Sequence, residues 1–398
     1  MQTQLSRRIA ALQPSATLAM AAKAKELKAS GRKVISLSLG EPDFNTPAHI
    51  CDAAAKAMAE GKTRYTVASG IPELKEAICK FYKNRHSLEY KPANITVSNG
   101  AKHCLHNVFT VLIDEGEEVI IPAPYWVSYA EIVKLAGGVP VIVETTEASD
   151  FKLTPEQLRA ACTPKTKCLL LCSPSNPTGS MYSGEELGAL ADVVIEKDLW
   201  VLADEIYENL VYGDNVFVSF PTVRPGLMDR TIIVNGVSKT YAMTGWRIGW
   251  SFAPADIAKK MASLQSQETS CPCSISQYAA IAALEGSQDC VKEMCAEFSK
   301  RRDYVLQRIN AIEGLSCPNM RGAFYAFVNI SKYLGREYGG KMIETDTDWC
   351  LELLEKKGVA TVMGSAFGAP GYARLSFANS MEELKQAFDL IEEFLSDR

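Results

Sequence analysis

Histidine is scarce: four residues in 398, and none of them stands beside a cysteine pair. Cys271 and Cys273 are close together, but no second pair or His cluster completes a zinc set, so no metal is expected. No apolar run approaches the ~20 residues that a membrane span requires. A secretory hydrophobic segment is also missing from the start of the chain. The twelve cysteines fall singly in apolar segments, as at Cys51, Cys79, Cys168, Cys172, Cys290 and Cys350, where cysteine acts as a small hydrophobe. Reduced thiols and a cytoplasmic location follow as the expectation. Nor is there an excess of basic charge. The 42 Lys and Arg against 47 Asp and Glu leave a net charge of -5, which offers nucleic acid no attraction. The first 25 residues lack acidic side chains, as a transit peptide does. Pro14-Ser15-Ala16-Thr17 nevertheless reads as a helix start running into Leu18–Ser30 and stopped by Gly31.

What is present is the balance of a globular protein, 47% hydrophobic and 22% charged, in a chain long enough for two or three domains at ~150 residues each. From Ala48 to about Gly286, short apolar runs alternate with helical stretches, the βαβ rhythm of a mostly parallel sheet covered on both faces. Seven strands are expected: Ile95–Val97, Glu118–Ile121, Val139–Val143, Cys168–Cys172, Trp200–Ala203, Thr231–Val234 and Trp246–Phe252. Helices between them include Ala101–Ile113, Gly184–Lys197 and Ile257–Gln267. Beyond Gly286 the rhythm changes to a long helix over Cys290–Ile312, strands at Tyr325–Ile330 and Tyr372–Phe377, and an amphipathic helix at Met381–Leu395. The expected division is a large α/β domain at 46–286 and a smaller α+β domain built from 1–45 and 287–398.

In open α/β sheets ligands bind beyond the carboxyl ends of the strands, so the residues there carry the functional signal. Trp200–Ala203 runs into Asp204-Glu205-Ile206-Tyr207, and Cys168–Cys172 into Ser173-Pro174-Ser175-Asn176-Pro177-Thr178-Gly179. Thr231–Val234 runs into Asn235-Gly236-Val237-Ser238-Lys239-Thr240. Val119–Ile121 leads to Pro124-Tyr125-Trp126, and Ile95–Val97 to Ser98-Asn99-Gly100-Ala101-Lys102. Each has an ordinary structural explanation: Asp204 as a helix cap, Asn176 as a turn residue, Lys239 as a surface lysine, Ser98–Gly100 as the cap of a helix. Helix N-termini with small residues also bind phosphate. Strand alternation through Trp246–Trp250 sets Arg247 opposite three large apolar side chains, a position that calls for an anion. Together an acid, an amide, a lysine, an aromatic pair and a phosphate-type turn describe a cofactor site.

The runs SNPTG at 175–179, ADEIY at 203–207 and SKTYAMTGWRIGW at 238–250 closely resemble the class I (fold type I) pyridoxal-phosphate-dependent aminotransferases. The likeness extends from SLSLGEPDF at 36–44 to ARLSF at 373–377. The resemblance implies pyridoxal 5'-phosphate as cofactor, joined to Lys239, which then shuttles the proton. Lysine suits this role because desolvation and nearby cations free its amine. It also implies that Asp204 pairs with the pyridine nitrogen and that Tyr207 and Asn176 bond the phenolic oxygen. Arg247 would clamp the phosphate, with Gly100, Ala101 and Ser238 completing the cup, and Trp126 would stack on the ring. Arg374 would take the substrate carboxylate, with the Gly40 backbone beside it. Tyr65 matches a tyrosine reaching the phosphate of a neighbouring subunit, so a homodimer with shared active sites is implied. One departure stands out: where related enzymes often place a serine three residues before the lysine, this chain has Gly236, leaving Ser238 to supply the hydroxyl.

A second carboxylate on the substrate requires a second cation. SNGAKHC at 98–104 resembles a branch of aspartate aminotransferases in which the turn lysine meets that carboxylate, here Lys102. As a solvated first-turn lysine it would oppose the helix dipole. The N-terminal PSAT with Thr17, taken with Lys102, resembles bifunctional aspartate/prephenate aminotransferases. The expected reaction is amino transfer between aspartate or glutamate and 2-oxoglutarate or oxaloacetate, with prephenate as an additional substrate. The alternatives are a β-lyase or an aminotransferase for another amino acid, aromatic or alanine. A β-lyase shares the lysine and would release pyruvate and ammonia without needing an oxo acid. A ligand-sensing domain of a DNA-binding regulator would need a helix-turn-helix or basic extension, which the chain does not show.

Overall fold

The computed structural model describes residues 5–338 and 340–396. Its centre is a seven-stranded sheet in the order Ile95–Ser98, Gly249–Phe252, Thr231–Gly236, Trp200–Asp204, Thr166–Cys172, Glu118–Ala123, Val139–Glu144. Gly249–Phe252 runs antiparallel to both neighbours, and every other adjacent pair is parallel.

The central strands are apolar throughout because both faces are covered. Alternation divides their side chains between two cores. Leu170, Leu202, Ile232 and Val234 pack with Leu105, Val108 and Phe109 of the helix Ala101–Leu112. Leu169, Leu171, Val201 and Ala203 pack on the other face with Leu187, Leu190 and Val194 of the helix Gly184–Glu196. Burial of each such aliphatic side chain contributes roughly 1.5–3 kcal/mol. The second helix starts at a reciprocal cap: Ser183 Oγ accepts the Glu186 N–H, and Glu186 Oε2 accepts the Ser183 N–H at 2.7 Å.

A separate core joins the two ends of the chain. Met20, Ala24, Val34 and Leu37 pack with Trp349, Leu353, Phe388 and Ile391. Ile35–Ser36 pairs in parallel with Val359–Ala360. Beside them lies a three-stranded antiparallel sheet ordered Val362–Met363, Tyr372–Ser376, Tyr325–Asn329. Ile206, Tyr207 and Leu210 extend from the end of a central strand into this core and tie it to the sheet.

The helix start at Pro14–Thr17 and the Gly31 stop are found as expected, and two other local readings are corrected. The helix over Ala16–Ala29 is capped by Ser15, whose Oγ accepts the Leu18 N–H, so Thr17 lies within the first turn; Gly31 (φ 88°) follows it. Asp204 is the last residue of its strand and does not cap a helix. The segment expected to be strand from Trp246 begins only at Gly249: Thr244–Trp246 forms a 3₁₀ turn and Arg247 is left-handed, at φ 55°. Arg247 is therefore aimed by a turn and not by strand alternation. Close packing explains the late start. A Cβ on Gly249 would lie 2.4 Å from the Ala101 nitrogen, so the strand can begin only where glycine lets the Gly100–Ala101 backbone pass.

Candidate active site

The carboxyl ends of the central strands, the loop 38–41 and the start of the helix Ala16–Ala29 enclose one pocket of ≈ 280 Å³. It collects Gly40, Ala101, Lys102, Trp126, Asn176, Asp204, Tyr207, Ser238, Lys239, Arg247, Arg374 and Thr17. Gly100 sits at its edge, against Arg247. Tyr65 does not join them: it is 89% exposed and outside the lining of its own chain's pocket.

Lys239 lies just past the end of the strand Thr231–Gly236 and donates from Nζ to the Gly40 carbonyl. Burial lowers its pKa to about 8; Glu41 and Asp204 oppose the shift, and Arg247 and Arg374 add to it. The ammonium therefore gives up its proton far more readily than an ordinary lysine's, as a proton shuttle requires.

Asp204 is 4% exposed and accepts the Tyr129 hydroxyl at Oδ2 (2.6 Å) and the Ile206 N–H at Oδ1 (3.3 Å). Burial raises its pKa to about 6, against the two hydrogen bonds and the Lys239 charge. It is thus poised as a carboxylate for a protonated partner. Tyr207 lies 2.8 Å from Tyr325, hydroxyl to hydroxyl, and burial holds its pKa well above the ordinary value. Tyr325 in turn explains Gly40: a Cβ there would come within 2.6 Å of the Tyr325 hydroxyl.

The carboxylate-binding end is built around Arg374, which is 1% exposed. It donates to Asn176 Oδ1 at 3.0 Å and the Ser38 carbonyl at 2.7 Å, and its guanidinium lies 4.5 Å from the Tyr325 ring centroid. Its Nε is buried with no partner, and among the described residues no carboxylate pairs with it. A buried cation left in this state calls for an anion from outside the chain.

The opposite end fits a phosphate. Gly100 (φ 87°, ψ 164°) precedes the helix Ala101–Leu112, whose N-terminus has no side-chain cap, so its leading amides stay available. Arg247 donates to the carbonyls of Thr244 at 2.7 Å and Asn99 at 3.2 Å, and a Cβ on Gly100 would stand 2.3 Å from its Nη2. Ser238 is buried beside them. The glycine at 236 also has a physical reason. A Cβ there would meet the Ile248 carbonyl at 2.8 Å, so the serine of related enzymes has no room.

At the mouth, the Lys102 ammonium lies 4.7 Å from the Trp126 ring centroid, and desolvation, with the Arg247 charge second, lowers its pKa. It too has no carboxylate partner among the described residues. The Thr17 hydroxyl is buried and makes no hydrogen bond.

A family profile, Aminotransferase class I and II, matches residues 32–391. The chain belongs to this family. It is 50% identical to the aspartate aminotransferase of Geobacillus stearothermophilus over 395 residues, 99% of this chain and all of that one. Identity to the aspartate/prephenate aminotransferase of Cereibacter sphaeroides is 47%, across 98% of both chains. Among solved structures, the aspartate aminotransferase of Rhizobium meliloti superposes with a TM-score of 0.96 at 46% identity, over 99% of each chain. That of Thermus thermophilus, solved with maleate, gives 0.93 at 41%, covering 99% of this chain and 100% of its own.

The enzyme is an aminotransferase of the fold type I class, and its cofactor is pyridoxal 5'-phosphate. Family members use amino acids and 2-oxo acids as substrates. The pocket fits this cofactor: a lysine for its aldehyde, a buried carboxyl for its ring nitrogen, and a cradle at Gly100 that any Cβ would fill. Among the described residues, no group of three His, Cys, Asp or Glu side chains is placed to hold a metal, and no helix is long and apolar enough to cross a membrane.

Two contributors escaped the sequence reading. Tyr129 follows Trp126 by three residues in the helix Ser128–Leu135 and reaches Asp204; only the aromatic density of that stretch marks it. Tyr325 was placed on a strand, but nothing local says that this strand ends against Tyr207 and Gly40.

Proposed function

We propose that the enzyme exchanges the amino group between aspartate and 2-oxoglutarate, and between glutamate and oxaloacetate in reverse. The observation that carries this reading is one pocket lined by Lys102, Lys239, Arg247 and Arg374, none with a carboxylate partner among the described residues, and by one buried acid, Asp204. One cation serves the chemistry, one the cofactor phosphate, and two remain for the two carboxylates of a dicarboxylic substrate.

In this reading Arg374 and the Gly40 backbone hold the α-carboxylate, and Lys102 meets the distal one. Lys239, whose buried amine loses its proton more readily than an ordinary lysine's, takes the proton from the substrate Cα and returns one to the Cα of the amino acid formed when the oxo acid is aminated. Bound pyridoxal phosphate supplies an electron sink for the pair left when the Cα–H bond breaks. Asp204, ionised and supported by Tyr129, balances the charge on the ring nitrogen. Tyr207 and Asn176 bond the phenolic oxygen. Trp126 would stack on the ring, and Arg247, Ser238, Gly100 and Ala101 would hold the phosphate.

Prephenate is an additional substrate in this proposal. The unsatisfied Thr17 hydroxyl at the mouth favours it, as does the aspartate/prephenate aminotransferase matched along 98% of the chain. Elimination by a β-lyase is disfavoured by full-length identity to enzymes named aminotransferases.

The 89%-exposed Tyr65 ring supports a homodimer in which this side chain completes the phosphate site of the neighbouring copy. The domain division at 46–286 against 1–45 with 287–398 is supported by the separate core that joins the chain ends. All twelve cysteines are free, which supports a cytoplasmic setting. The test is a coupled assay of the loaded enzyme with aspartate, glutamate, alanine, phenylalanine and prephenate. Lys102→Ala should raise KM for aspartate about tenfold or more and leave alanine unchanged; equal effects on both would refute the assignment.

A further inference from the structure

His103 stands next to Lys102 in the first turn of the helix Ala101–Leu112, but its side chain does not line the pocket. Its Nδ1 accepts the backbone N–H of Asn99 at 3.3 Å. An N–H can only donate, so Nδ1 is unprotonated and the ring hydrogen sits on Nε2. Nε2 is buried without a hydrogen-bond partner, 3.6 Å from Glu268 Oε2. Glu268, at the end of the helix Ala255–Glu268, also bonds His106 Nε2 at 3.0 Å.

Asn99 is therefore held from both sides. His103 takes its N–H, Arg247 donates to its carbonyl at 3.2 Å, and the next residue is Gly100, whose amide donates to Ser98 O at 2.7 Å. We propose that neutral His103 is a positioning residue for the cofactor phosphate: by gripping Asn99 it holds the Ser98–Gly100 turn so that the first helix amides and Arg247 converge on one point. This rests on the phosphate reading of that end of the pocket. The groups facing the imidazole are Glu268 from the neighbouring helix and His106 from its own. Burial, the largest influence, lowers its pKa, with Glu268 opposing and His106 adding. Protonation would set two N–H groups against each other at Asn99 and release the turn.

The experiment measures the dissociation constants of pyridoxal phosphate and of phosphate-free pyridoxal, by the visible absorbance of the bound form, for the full-length enzyme and three variants. His103→Leu should weaken pyridoxal phosphate about tenfold and leave pyridoxal within about twofold, the loss of one positioned hydrogen bond and the contacts it aims. His103→Gln, whose amide oxygen can accept the same N–H, should keep most of the affinity. On acidification, the wild type should lose phosphate-dependent affinity below the ordinary histidine range by a step that His103→Gln lacks. If His103→Leu weakens both compounds alike, or neither, or if the two pH profiles coincide, the proposal is overturned. Arg247→Ala distinguishes the underlying reading: if it too fails to weaken pyridoxal phosphate selectively, the phosphate does not bind at this end. Should His103→Leu not fold, the pH profile of His103→Gln decides alone.

Discussion

Tyr129→Phe removes one hydroxyl whose effect can be worked through from the geometry. The hydroxyl donates to Asp204 Oδ2 at 2.6 Å, with Tyr129 1% and Asp204 4% exposed. A hydrogen bond to a charged acceptor contributes about 1.5–3 kcal/mol net, and one pKa unit corresponds to about 1.4 kcal/mol. Losing it leaves the Ile206 N–H as the partner and should raise Asp204 by about one to two units from its value of about 6. At pH 7 the carboxyl would pass from mostly ionised to about half or more protonated, and would balance a positive ring nitrogen less well. Cofactor affinity at pH 7 should then fall about two- to tenfold and recover at about pH 9, so that its acid limb moves upward by the same one to two units. Stability should follow the same sign. A carboxyl whose folded pKa lies above its unfolded value costs stability as pH rises from the unfolded toward the folded pKa. In the variant that decline continues to higher pH, so its deficit against the wild type should widen between about pH 5 and pH 8. The assay is a titration of pyridoxal phosphate affinity across this range, with thermal unfolding of the cofactor-free protein beside it. An acid limb at the same pH in both proteins would refute the reasoning.

Gly100→Ala places a Cβ 2.3 Å from Arg247 Nη2 at φ 87°, ψ 164°, a region costing about 1–3 kcal/mol for any other residue. Both the melting temperature and pyridoxal phosphate affinity should fall; an affinity unchanged by dialysis would show that Arg247 does not meet the phosphate. Glu205 is buried, and desolvation with the Glu208 and Asp204 charges raises it to about 8, against the donors Ser219 and Phe220. Its cost to stability grows from about pH 4.5 up to about pH 8, so Glu205→Gln should gain melting temperature over the wild type at pH 8 and little at pH 5; a pH-independent difference contradicts this. Arg374→Lys loses the paired contacts to Asn176 and Ser38 and should raise KM for alanine and aspartate alike. An effect confined to aspartate would reverse the assignments of Arg374 and Lys102.

The sequence alone determined the sheet and the placement of most of the chemistry. Central strands buried on both faces must be nearly all apolar, so Cys168–Leu171 and Trp200–Ala203 declare themselves, and the first polar residues beyond them fall at the rim where ligands bind. Lys239, Asp204 and Asn176 were legible for that reason. The tertiary structure alone decided how these residues act. Arg247 was expected on a strand, yet the close passage of Gly249 over Ala101 delays that strand and leaves Arg247 in a left-handed turn against Gly100. Tyr129 and Tyr325 reach Asp204 and Tyr207 from 75 and 118 residues away. The pairing of Ile35–Ser36 with Val359–Ala360 joins opposite ends of the chain. Local pattern records only which side of an element is apolar; it holds no information about which distant side chain will fill the space in front of it. The shifts at Asp204 and Lys239 depend on that filling, since burial is their largest cause and burial is set by the whole fold.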